Sequence, residues 1–155
     1  MLKLSKKADY GLIAIRHLAI RANETDSVSA KEIAACYGIS TSLLSKILQT
    51  LTRAGFLYSE HGTRGGYRLA RDPRSITALE IIQAIDGPVF LTPCFTQRGE
   101  CVQSSRCTVR EPLRKVHEGI LGLLDSITMT GDGEQEAAVP EVSRKWAHAG
   151  KQLYA

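Results

Sequence analysis

The sequence predicts a mainly α-helical fold with one small β-hairpin and one long separate helix beyond residue 110. Three observations carry this prediction. Capped amphipathic segments recur through the first 90 residues. Alternating aromatic and aliphatic residues flank a Gly-rich turn at 61–65. From Leu113 onward the apolar residues repeat at 3-4-3-4 spacing.

The first helix is predicted over Ser5–Ala22, with Ala8, Leu12, Ile15 and Ala19 on one face. After the polar loop NETDSV, the stretch S-A-K-E reads as a capping box of Ser29 and Glu32, each side chain taking an end-of-helix amide of the other. That helix is short, Ala30 to about Tyr37, and Gly38 breaks it. Ser40 is expected to cap a third helix that runs to about Ala54, where Gly55 stops it.

Two helices joined by a tight glycine turn form a helix-turn-helix pattern, with Ile33, Ala34, Ile39, Leu44, Ile47, Leu48 and Leu51 packing the pair together. The outward face of the third helix then carries Thr41, Ser42, Ser45, Lys46, Gln49 and Arg53. These hydrogen-bonding side chains have little bulk, as a helix entering a major groove of double-stranded DNA requires.

FLYSE and GYRLA, flanking HGTRG, read as a two-stranded hairpin that must lean on the preceding helices, because an isolated hairpin is barely stable. It stands where a wing would stand, which makes the whole a winged helix-turn-helix. Its tip holds His61, Arg64 and, nearby, Arg68, and an arginine on a narrow projection suits a narrow minor groove. The T-R-G-G stretch reads as having no packing purpose and as allowing close approach to a nucleic-acid backbone.

A second capping box, T-A-L-E from Thr77 to Glu80, opens a helix to about Asp86 that buries Ile81, Ile82 and Ile85, and Gly87-Pro88 ends it. Pro112 sits where a first helical turn tolerates proline. The following helix, to about Thr128, carries a seam of Leu113, Val116, Ile120, Leu123 and Ile127, widened by Leu121 and Leu124. So long a stripe on so small a chain reads as the interface of a homodimer, against the alternative that it packs back on its own domain. GDGEQEAAVP reads as a flexible linker, and Pro140 to about Gln152 as a short helix with Trp146 packed down. The organisation is thus 1–88 for the winged reader, 89–110 for a cysteine loop, 111–130 for the dimerisation helix and 131–155 for a linker and tail.

Charge is distributed in keeping with this. Residues 1–90 hold 12 Lys or Arg against 8 Asp or Glu, whereas 91–155 hold 8 of each. The whole net charge of +4 therefore sits in the part predicted to face phosphates. The opening MLKLSKKADYGL has no apolar run of signal-peptide type, and no stretch approaches the length of a membrane span, so a cytoplasmic protein without a membrane partner is expected. There is no nucleophile–base constellation, phosphate loop or catalytic carboxylate pair, which speaks against an enzyme.

Cys94, Cys101 and Cys107 stand as C-x6-C-x5-C in one loop. The spacing is too long for a zinc knuckle and differs from the ferredoxin run. From spacing alone, an iron–sulfur cluster, zinc, a thiol redox switch and coincidence all stay open. Arg98, Arg106 and Arg110 would offset thiolate charge. Cys36, among apolar neighbours, reads as a buried inert thiol, and His17 and His117 as packing or surface residues.

The opening LSKKADYGL, the stretch GISTSLLSKILQTLTRAGFL, the wing HGTRGGYRLARDP and the cysteine loop together resemble the IscR/NsrR iron–sulfur regulators, also called the Rrf-two family, over about residues 2–130. The resemblance implies a homodimeric winged-helix repressor or activator holding an iron–sulfur cluster (2Fe–2S or 4Fe–4S) through Cys94, Cys101 and Cys107, and often governing cluster-assembly genes. Ser40 and Ser42 match the DNA-contacting serines of the family, and Gly62 lies in its minor-groove wing. His61 stands where an arginine is common, with Arg64 as the substitute.

IscR-like members place a histidine three residues after the last cysteine, where this chain has Arg110, which is always protonated. Nitric-oxide-sensing members use an aspartate of the first helix from the opposite subunit. Asp9 falls at that position and becomes the candidate fourth ligand, with His117 the weaker one and a helix-end electrostatic role for Asp9 the plain alternative. The resulting expectation is a regulator whose affinity for a pseudo-palindromic operator follows the state of the cluster. Its rivals are a metal-free thiol switch with the same DNA role and an electron-transfer iron–sulfur protein without one.

Overall fold

The computed structural model describes residues 3–22, 27–63, 65–96 and 101–130. The described elements run α1 (Lys6–Ile20), α2 (Ala30–Tyr37), α3 (Thr41–Arg53), β1 (Leu57–Glu60), β2 (Gly66–Leu69), α4 (Ala78–Asp86) and α5 (Arg110–Ser126), with short 3-10 turns at Pro73–Ser75 and Pro93–Phe95. This is the mainly α fold with a hairpin wing and a long helix that the sequence predicts, its helix ends shifted by a few residues. The proposed linker and the Trp146 helix lie outside the described residues.

The helix starts follow the sequence, with two corrections. Ser5 caps α1, accepting from the Ala8 amide, and Thr77 with Glu80 makes the expected reciprocal box. Ser29 accepts from the Glu32 amide at 3.1 Å, but the Glu32 carboxylate pairs with Arg21, just beyond α1, instead of turning back to its own cap. Ser40 stands at the N-cap of α3 without a capping bond, its hydroxyl 3.0 Å from that of Ser42. Packing, not the cap, holds α3. Leu44, Ile47, Leu48 and Leu51 are all buried, and at about 1.5–3 kcal/mol each they outweigh a cap of about 1 kcal/mol.

One core serves the whole head. Ile15 and Leu18 of α1, Ile33 of α2, the four buried apolar residues of α3 and Ile81 of α4 meet there, with Phe56 and Leu57 entering from the wing. The turn between α2 and α3 rests on Gly38, whose φ of +64° lies in the left-handed region that favours glycine. It is closed by the Ile39 amide donating to the Ala34 carbonyl at 2.9 Å.

The wing is a two-stranded antiparallel hairpin pairing Leu57 with Leu69 and Glu60 with Gly66. Val28 and Tyr67 exchange backbone hydrogen bonds at 3.1 and 2.8 Å, which joins the hairpin to the segment before α2. This contact corrects the reading of T-R-G-G. A Cβ on Gly66 would lie 2.6 Å from the Val28 carbonyl, and one on Gly65 would lie 2.5 Å from the Glu60 oxygen. The two glycines therefore do have a packing purpose: they let the protein's own backbone close around the wing.

After α4 a loop carrying all three downstream cysteines leads to α5. The far end of α5 is fastened to the head: the Ala78 amide donates to the Ile127 carbonyl at 2.8 Å, the Met129 amide to the Ile76 carbonyl at 3.0 Å, and the Thr77 hydroxyl to Asp125 at 3.1 Å. No residue of α5 itself is fully buried. Leu113, Ile120, Leu121, Leu123 and Leu124 are half-buried, while Val116 and Ile127 are exposed. Arg114 binds Glu111 and Glu118, and its hydrogen bond holds the Glu111 carboxyl below the usual range.

Gly66→Ala should lower unfolding stability by about 1–3 kcal/mol, since the added carbon overlaps backbone that side-chain rotation cannot clear. Urea denaturation of the two proteins measures the difference; equal midpoints would contradict this account of the wing.

Candidate DNA-reading face and cysteine loop

With its apolar side turned into the core, α3 presents Thr41, Ser42, Lys46, Gln49 and Arg53 to solvent and Ser45 half-buried at the edge of the same face. Ser40 is exposed at its start. Five of the six residues predicted to face outward are exposed, and Ser45 is not. At the wing tip His61, Gly62 and Thr63 are exposed, with Gly62 at φ +116°. Arg64 lies outside the described residues.

The arginines divide by role. Arg68 donates across the hairpin to Glu60 at 3.3 Å, so this cation belongs to the wing's own ladder and not to its tip. Arg71 lies 5.4 Å from the centre of the Phe56 ring and binds Glu80 and the Ser75 carbonyl, which ties the wing to α4. Arg74 closes on Asp72, and Arg21 on Glu32. Lys46 and Arg53 have no ion-pair partner among the described residues.

Sequence reasoning missed Lys7. It lines, with Lys46 and Thr50, a groove of about 140 Å³ between α1, α3 and α4. Neither lysine is paired with a carboxylate among the described residues. The available signal was the run of basic residues in LSKKADYGL, which helix periodicity alone does not bring beside α3.

Cys94 sits in the Pro93–Phe95 turn, its sulfur 2.9 Å from the Thr92 hydroxyl. Cys101 and Cys107 bracket a stretch held by its own turns, the Ser104 amide donating to the Cys101 carbonyl and the Arg106 amide to the Gln103 carbonyl. All three thiols are free and half-buried. As donors they fit a soft metal centre: three thiols on one loop, none cross-linked, partly shielded from water. Among the described residues no three Cys, His, Asp or Glu side chains are drawn together around one point. Arg106 and Arg110 are exposed beside the loop, and Arg98 lies outside the described residues.

Asp9 is exposed in the first turn of α1, and its carboxylate has no hydrogen bond or ion pair among the described residues. Cys36 is a correction. It is exposed at the end of α2, because the buried side of this short helix is formed by Ile33 and Ala34. His17 is half-buried with its Nδ1 3.1 Å from the Tyr37 hydroxyl, and the His117 ring stacks on Phe95.

Comparison with known proteins bears directly on the head. The family model described as iron-dependent transcriptional regulator, Rrf2, matches residues 4–131, most of the chain. The chain belongs to the Rrf2 family. It is 31% identical over 129 residues to the HTH-type transcriptional regulator NsrR of Bacillus licheniformis, covering 83% of this chain and 90% of that one. Its fold is similar to that of CymR, the global cysteine regulator of B. subtilis, with a TM-score of 0.73, 32% identity, and 83% and 94% of the two chains covered. It is also similar to T. potens IscR, with a TM-score of 0.64, 35% identity, and 84% and 85% covered. This Rrf2 protein is accordingly a DNA-binding transcription regulator with a winged helix-turn-helix head, and not an enzyme. No helix among the described residues is long and apolar enough to cross a membrane.

In reduced protein, maleimide should label the exposed Cys36 several-fold faster than the half-buried Cys94, Cys101 or Cys107. Mass spectrometry after brief labelling gives the order; slowest reaction at Cys36 would contradict its placement.

Proposed function

We propose that this Rrf2 protein acts as a homodimer, probing a pseudo-palindromic operator as a repressor under the control of an iron–sulfur cluster held by Cys94, Cys101 and Cys107. The observation that carries the reading is the position of three free, half-buried thiols on the one loop between the reading head and α5. The apolar stripe of α5, left half-exposed in a single chain, supports pairing with a second copy. Asp9 is the proposed fourth ligand, reaching the loop of the other copy; its unengaged carboxylate on α1 supports this role. When bound, such a cluster supplies a centre that reacts with oxidants or is lost when supply fails.

The chain's own residues do the reading. Ser40, Thr41, Ser42, Ser45 and Gln49 offer hydrogen bonds to base edges in the major groove. His61, Gly62 and Arg64 enter the minor groove at the wing. Lys7 and Lys46 hold the phosphate backbone from two helices at once, positioning α3 without carrying sequence information.

Two measurements test these assignments. Cysteine-to-serine substitution at 94, 101 or 107 should abolish the visible absorption of anaerobically purified protein, and an unchanged spectrum would exclude the cluster. Lys7→Gln or Lys46→Gln should each reduce the slope of log affinity against log salt by about 1 per chain, with operator preference unchanged. A slope equal to wild type would remove that lysine from the interface.

A second reading, a thiol switch without metal, draws on the separation of the thiols among the described residues and on the Thr92–Cys94 contact. Iron and sulfide analysis of the anaerobic protein distinguishes the two directly.

A further inference from the structure

Three rings lie between the cysteine loop and α5. The His117 imidazole, half-buried on α5, has its centre 5.0 Å from that of Phe95 with the planes 16° apart. Phe90, from the start of the loop, lies 6.4 Å from the same imidazole at 17°. Nearly parallel rings at these separations are attractive offset stacks. Phe95 directly follows Cys94, which is itself in contact with Thr92 at 2.9 Å. Cys101 and Cys107 have no comparable ring pair or side-chain hydrogen bond among the described residues. The loop is therefore fastened to α5 at its Cys94 end and held by its own backbone turns at the other.

The position of this attachment on α5 gives it leverage. His117 precedes Asp125 by eight residues, about 12 Å along a helix axis. Asp125 and Ile127 are where α5 is bonded to the head. One end of α5 is thus joined to the reader and a point two turns away is joined to the residue that follows Cys94.

We propose that Phe95 and His117 are positioning residues that fasten the Cys94 end of the loop to α5, so that chemistry drawing the three thiols together pulls on α5. The coupling half of this statement rests on the reading of the loop as a sensor; the fastening half does not. In this role the imidazole acts as a flat ring, and its nitrogens are not required.

The test uses full-length, metal-free, reduced protein with the alkylation rate of each cysteine followed by mass spectrometry. Phe95→Ala and His117→Ala should each accelerate Cys94 by about threefold to tenfold, the effect of losing one ring pair, and leave Cys36 unchanged. His117→Phe, which keeps a ring, should stay within about twofold of wild type. Unmoved Cys94 rates in both alanine variants would overturn the proposal. The second readout is the ratio of operator affinities between anaerobically purified and chelator-stripped protein, which Phe95→Ala should bring close to one while His117→Phe preserves it. A Phe95→Ala ratio equal to wild type overturns the coupling. A wild-type ratio of one refutes the sensor reading and the coupling with it, and the alkylation rates still decide whether the rings fasten the loop. Loss of visible absorption in His117→Phe would make His117 a ligand and overturn its positioning role.

Discussion

The backbone join between residues 76–78 and 127–129 is the constraint on which the rest of the arrangement depends. Two amide–carbonyl hydrogen bonds, from Ala78 to Ile127 and from Met129 to Ile76, dock the exit of α5 onto the entry of α4. Each contributes about 1 kcal/mol. The buried Met129 and Ile76 side chains, at about 1.5–3 kcal/mol each, anchor the join in the core that also holds α3. The direction in which α5 leaves the head is therefore fixed by the same packing that orients the recognition helix. Its apolar stripe is left half-exposed, and in the proposed homodimer the pairing of that stripe would set the distance between two reading heads.

Ion pairing shows which arginines brace the fold. Arg21, Arg68, Arg71 and Arg74 are spent on Glu32, Glu60, Glu80 and Asp72 and so brace the wing and the helix entries. Lys46 and Arg53 on α3, together with Lys7 on α1, have no such carboxylates among the described residues. Cations gathered without counter-charge favour an anionic partner, and they stand around the helix whose polar side chains suit base edges. Position and chemistry agree there.

The sequence made local periodic features readable and left contacts between distant segments hidden. The outward set on α3 was legible because burial of Leu44, Ile47, Leu48 and Leu51 leaves only one other side for Thr41, Ser42, Lys46 and Gln49. The Thr77–Glu80 box was legible because both partners lie within one turn. The Ser29–Glu32 box was half wrong because Arg21, a helix away, takes the Glu32 carboxylate. Gly66 looked free to meet DNA because its neighbour Val28 is 38 residues distant in the chain. Cys36 looked buried because its sequence neighbours are apolar, yet α2 turns another side to the core. The thiol loop showed its donors but not their attachment: the Phe95–His117 stack joins residues 22 positions apart and carries no periodic signal.

On the proposed function, the state of the thiol loop, acting through α5, sets the separation of two recognition helices in a homodimer. Pulsed electron paramagnetic resonance on the full-length protein, with a non-cysteine spin label at Gln49 in each copy, measures that separation directly. Two distinct distance distributions are expected, one for anaerobically purified protein and one after treatment with a chelator. Superimposable distributions, in protein shown to be dimeric in both states, would contradict this expectation.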